Sequence, residues 1–152
     1  MTENEALNHM ATYCSKAEHC HADICEKLRR QELGEDAIER ILSRLEAEGF
    51  IDEKRYTRSF VNDKFRFAKW GKMKIRQALF FKQIPSGVVE KGLGELNENE
   101  YLSVLRELIE KKKKSIQDEN EYEQKGRLIR FALGKGFEIK DIEKCIKTED
   151  GW

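Results

Sequence analysis

Five side chains able to ligate a metal or act as nucleophiles crowd into one short stretch: Cys14, His19, Cys20, His21 and Cys25. A zinc site needs thiolate and imidazole donors aimed at one point, most often supplied as cysteine pairs two residues apart. No such pair occurs, and His19, Cys20 and His21 are consecutive, so their side chains diverge around any helix or turn. Packing and surface roles explain the cluster better, and no metal is expected. With Cys145 the chain has four cysteines and no framework spacing, which reads as free thiols in a reducing compartment.

Phosphate chemistry fares no better. Gly71, Gly87, Gly92 and Gly94 form neither G-x-G-x-x-G nor a Walker loop. Nothing recommends a Ser-His-Asp set either, although such residues meet only in space. The chain reads as a non-enzyme without a cofactor.

The remaining chemistry is charge. The whole chain balances 29 Lys and Arg against 29 Asp and Glu. Residues 1–52, however, carry six cations and twelve anions, 53–82 carry ten and two, and 83–152 carry thirteen and fifteen. The middle segment holds Arg55, Arg58, Lys64, Arg66, Lys69, Lys72, Lys74 and Arg76, interleaved with Tyr56, Phe60, Phe65, Phe67 and Trp70. Tyr56, Phe60 and Phe67 follow one helical stripe and are expected in the core. The eight cations are left for the surface, where like charges repel unless a polyanion or acidic protein offsets them. Trp70 and Gly71 read as a packed aromatic beside a close-turning glycine. Lys111–Lys114 suit the negative end of a helix dipole and need no ligand.

Helices must position these groups. One proline, four valines, four threonines and the lack of alternating patterns leave little support for strands. Leu7, Met10, Ala11, Cys14 and Ala17 mark a first apolar face. Ile24, Leu28, Leu33, Ile38 and Leu42 mark the next two helices, and this pattern returns as Ile75, Leu79, Ile84, Val89 and Leu93, then as Leu128, Ala132, Phe137, Ile142 and Ile146. A longer helix precedes each copy, roughly Ala6 to Ser15, Asp52 to Ala68 and Glu98 to Lys114. Asp52, Asn97 and Asn120 stand at N-cap positions, and Gly34, Gly49, Pro85 and Gly136 punctuate the segments. The expected fold is all-α, with three tandem three-helix repeats (1–50, 51–97 and 98–152) in an elongated array. No apolar run is long enough to span a bilayer, and MTENEALNHM lacks a secretion signal, so the protein is expected in the cytoplasm with no membrane partner.

Ala132, Gly136 and Ile142 fit a helix-turn-helix. The groove-facing helix would then present Glu138, Lys140, Asp141, Glu143 and Lys144, and carboxylates oppose phosphates. Sequence-specific reading of DNA is therefore not favoured.

Four words of the chain resemble the RecX family of RecA recombinase regulators: Y-C-S-K-A-E-H at 13–19, G-F-I-D-E-K-R-Y at 49–56, K-W-G-K-M-K-I at 69–75 and a further G-F at 136–137. Lys16 stands where the family often has arginine, and the third repeat matches least. The resemblance spans nearly the whole chain. It implies a curved, monomeric array that docks in the groove of the RecA nucleoprotein filament and limits ATPase, strand exchange and filament extension. The surface from Arg55 to Arg76 is then assigned to the filament's acidic protein surface, to its single- or double-stranded DNA, or to both. The rival reading is a non-specific DNA-binding helical protein acting without RecA.

Overall fold

The computed structural model describes residues 1–117 and 120–150, and of 147–150 the backbone alone. The end of the expected third repeat, 151–152, lies outside the described residues. These form nine α-helices and no strand: α1 (Glu3–Lys16), α2 (His21–Arg29), α3 (Glu35–Ala47), α4 (Glu53–Arg66), α5 (Lys72–Phe81), α6 (Ser86–Gly94), α7 (Glu98–Ser115), α8 (Glu121–Gly134) and α9 (Ile139–Asp150).

The helix starts follow from capping chemistry. Asp52 Oδ1 accepts the Lys54 and Arg55 amides at 3.0 and 3.1 Å. Asn97 and Asn120 accept the Glu100 and Glu123 amides, each at 2.9 Å. α1 begins three residues before the expected Ala6 because the Thr2 hydroxyl accepts the Glu5 amide at 3.1 Å and satisfies an otherwise orphaned donor.

The turn between the second and third helices of each repeat contains one left-handed residue: Glu32 (φ 60°), Gln83 (φ 61°) and Gly136 (φ 99°). Each directly precedes a repeat position, Leu33, Ile84 or Phe137. After Gln83 and Gly136 the next amide reaches back five residues, Ile84 to the Leu79 carbonyl at 3.2 Å and Phe137 to that of Ala132 at 3.1 Å. These are Schellman closures, which satisfy the last carbonyls of a helix. Of the repeat positions, Leu33 is half-buried and all the others are buried.

By packing, the chain divides into two compact units, one of residues 1–60 and 79–92, the other of residues 61–78 and 93–152. In the first, α1 and α2 pack on α3 around Ala6, Met10, Cys14, Ile24, Leu28, Ile38, Ile41, Leu42, Leu45 and Ile51. Leu7 and Ala11 are half-buried against that core. Ala17 is exposed, contrary to expectation, because α1 stops at Lys16 and Ala17 is its extended C-cap.

In the second unit α7, α8 and α9 pack on one another. Tyr101 packs between Phe65, on which it stacks, and the tilted ring of Phe137, with ring centroids 5.6 and 5.2 Å away. Phe65, not Phe67, is therefore the core aromatic at the end of α4, and Phe67 is 81% exposed. The buried row of the helix runs Thr57, Val61, Phe65 at four-residue steps, and Phe67 falls two residues on, about 200° round the helix. Tyr56 is buried and Phe60 half-buried, with their rings 5.8 Å apart. No helix among the described residues is long and apolar enough to cross a membrane.

Candidate basic interface

Two of the eight cations, Arg55 and Arg58, belong to the first unit. Arg55 forms an ion pair with Glu18 and donates from Nη2 to the Gly49 carbonyl at 2.9 Å. One guanidinium thus ties the 13–19 segment to the 49–56 segment, its fixed planar fork reaching two acceptors at once. In the first of these segments the Tyr13 and His19 rings stack at 4.0 Å, and Lys27 Nζ lies 4.5 Å from the centre of the Tyr13 ring. Arg55 is in large part a structural residue. Arg58 is exposed.

The other six lie in the second unit. The loop from α4 to α5 docks there against the turn from α8 to α9. The Gly71 amide donates to the Lys135 carbonyl at 2.7 Å, and the Met73 amide to the Gly136 carbonyl at 2.9 Å. The Lys135 ammonium returns to the Ala68 carbonyl at 2.9 Å. A methyl group on Gly71 would sit 2.4 Å from Gly136 backbone, and one on Gly136 would sit 2.4 Å from Lys74 Cβ. Glu32 and Gln83 adopt the same left-handed turn with side chains present, so close approach, beyond backbone angle alone, makes a glycine necessary at 136.

This docking fixes Trp70, which is half-buried. Lys64 Nζ lies 4.8 Å and Lys74 Nζ 4.7 Å from the centre of its ring. An indole face attracts cations, so one ring holds two ammonium groups at defined positions beside Lys69, which is itself pinned by a left-handed backbone (φ 58°). Of the predicted surface, Lys64 and Lys74 are the cations that the structure brings together, on the ring of Trp70, a residue the sequence assigns to packing. Arg66 is diverted to Glu100 at 2.7 Å. Lys72 lies over the Tyr101 ring at 4.7 Å and 3.7 Å from Glu98, while its amide donates to the Tyr101 hydroxyl at 2.9 Å. Burial pushes that phenol up to about 12. Arg76 is half-buried. Exposed Phe67 is the residue that helical periodicity assigns to the wrong face, and Met73, 48% exposed, carries neither a charge nor a repeat signal that would single it out.

In the cysteine and histidine stretch two thiols are core groups, whereas His19, His21 and Cys25 are half-buried. Cys14 and Cys20 are buried, and burial raises both thiols, Cys20 to about 11. Among the described residues no three His, Cys, Asp or Glu side chains converge as a metal set would. In α9, Asp141 is buried and its carboxyl is raised by burial, so it is not the groove-facing charge that a helix-turn-helix arrangement would make it. The α8–α9 turn instead serves the Gly71 docking.

Two family models match the chain: the second three-helix domain of RecX at residues 52–93 and the third at 98–146. The third repeat, which resembles the family least by motif, is thus matched in its own right. Among curated proteins, a "Regulatory protein RecX" of Thermus thermophilus is 32% identical over 136 residues, covering 90% of this chain and 86% of that one. The protein of the same name from Clostridium acetobutylicum is 27% identical, covering 93% and 67%. The crystal structure of RecX from Lactobacillus salivarius superposes with a TM-score of 0.89 at 22% identity, over 99% of this chain and 97% of that one, a likeness of fold. Matched models over two repeats and an identity of 32% across most of a relative's length place this chain in the RecX family of regulatory proteins.

Proposed function

We propose that this protein regulates the RecA recombinase by binding in the groove of the RecA–DNA filament, where it limits ATP hydrolysis, strand exchange and filament extension. Membership of the regulatory family supports the partner. The observation that carries the contact is the pair of ammonium groups held on Trp70, in a segment with ten cations against two anions. Fixed cations lose little freedom on meeting an anionic surface, so more of the attraction appears as affinity. Repeats 1–50, 51–97 and 98–152 are the proposed modules of contact, and bridging several filament subunits would make weak individual contacts add up. Inhibition then needs no catalytic group: a ligand that fits one filament state better than another shifts the equilibrium by its differential affinity.

The test is a titration of this protein into RecA turning over ATP on single-stranded DNA, with naked-DNA binding measured in parallel. Substoichiometric inhibition, together with weak and steeply salt-dependent binding to naked DNA, supports the filament reading. Tight binding to naked DNA without an effect on RecA at saturating DNA would favour the rival, a non-specific DNA binder. The triple variant Arg58→Glu, Lys69→Glu, Lys74→Glu should lose inhibition while keeping its helical circular dichroism.

A further inference from the structure

One flank of α8 carries a feature that the filament reading leaves unused. Tyr122, Gly126, Ile129 and Leu133 recur at steps of four, three and four, the spacing of the seam between two coiled helices. They lie well round the helix from its core residues Leu128 and Ala132. Tyr122 is 89% and Leu133 43% exposed, Gly126 and Ile129 are half-buried, and an open groove of about 640 Å³ runs along Tyr122, Gly126 and Ile129.

Three observations identify the occupant. The spacing reads the same from either end, so two antiparallel copies of α8 bring Tyr122 opposite Leu133 of the second copy and Ile129 opposite its Gly126. The missing side chain at Gly126 leaves a notch that an isoleucine knob can fill. On one flank of the seam stand Glu123 and Arg130, and the same two-fold axis places each beside the other's counterpart, giving two pairs of opposite charge. In the single chain the Arg130 guanidinium folds back over the notch, 3.3 Å from where a Gly126 methyl would lie; being exposed, it can swing aside. A base-stacking site for nucleic acid would use Tyr122 and Arg130 but would leave Ile129 and Leu133 without purpose.

We propose that α8 pairs antiparallel with α8 of a second copy of this chain. The seam is two heptads long, so the contact is small and the dimer weak, with a dissociation constant on the order of 100 µM. The chain is then a monomer at low micromolar concentration and a dimer where it is concentrated.

Sedimentation equilibrium of the full chain from about 5 to about 500 µM tests this. The expected result is a mass rising from 17.9 kDa toward twice that value. Gly126→Gln fills the notch and should abolish association. It should also hold or raise the thermal midpoint, since glycine is a poor helix former, so loss of folding cannot account for the outcome. Glu123→Arg should weaken the dimer at least about threefold, and the exchange Glu123→Arg with Arg130→Glu should restore it to within about twofold. A chain monomeric at the top concentration, association that survives Gly126→Gln, or a double exchange no better than the single change overturns the proposal.

Discussion

Gly71 and Gly136 meet backbone to backbone in the second unit, with room for a side chain on neither. The loop after α4 and the turn after α8 are held together by main-chain hydrogen bonds at 2.7 and 2.9 Å, so any added carbon must separate them. Gly71→Ala should therefore destabilise the protein by about 2–4 kcal/mol in urea unfolding, through overpacking and lost hydrogen bonds. Gly49 provides the control: it also has a positive φ, but nothing lies within 4 Å of its missing Cβ, so Gly49→Ala should cost only the left-handed strain, about 1 kcal/mol.

Gln83 occupies the turn that corresponds to Gly136 and bears the left-handed strain there with a side chain present. Gln83→Gly should leave stability unchanged or raise it by up to about 1 kcal/mol, the relief of strain being partly offset by the flexibility of glycine in the unfolded chain. A loss of more than about 1 kcal/mol in the same urea assay would mean that the Gln83 side chain makes a stabilising contact.

Glu53 is half-buried, accepts the His21 backbone amide and has its carboxyl raised above the usual range, chiefly by burial. A carboxylate with a raised folded-state pKa penalises the native state once it ionises. The penalty is absent below the unfolded value of about 4.3, grows with pH, and is complete above the folded value. Glu53→Gln should therefore be more stable than the parent at neutral pH, with the advantage shrinking as pH falls toward about 4. Thermal melts of both proteins across that range give the sign directly.

Cys14, Cys20 and Cys145 are buried, whereas Cys25 is partly exposed. The thiolate is the reactive form, and burial raises the pKa of Cys14 and Cys20. A thiol reagent added to the native protein should label Cys25 first and the other three only on a timescale of unfolding. Peptide mapping of the labelled sites reads the order.

Phe67 is large, apolar and 81% exposed between Arg66 and Lys69. Its truncation removes almost no buried area, so Phe67→Ala should change stability by less than about 0.5 kcal/mol. If the basic segment meets the filament as proposed, the same variant should inhibit RecA at least about threefold less well in the ATPase titration, because exposed aromatic rings anchor interfaces.

The helices, the three-fold repeat and the basic middle segment were legible in the sequence because each depends on neighbours within a few residues. A 3.6-residue period fixes a helix face, Asn97 and Asn120 cap the residues beside them, and charge is counted along the chain. What each cation does was decided by tertiary structure. Arg55 meets Glu18 across 37 residues, and Arg66 meets Glu100 across 34, so two of the surface charges are already paired within the chain. Phe65 and Phe67 look alike to a composition count, yet stacking on Tyr101 buries one and leaves the other in solvent. Gly71 and Gly136 lie more than a whole repeat apart in the sequence, and only their closeness in space explains why both must be glycine. Local propensity reaches along a helix, whereas partners and close approaches depend on which distant segments the buried core brings side by side.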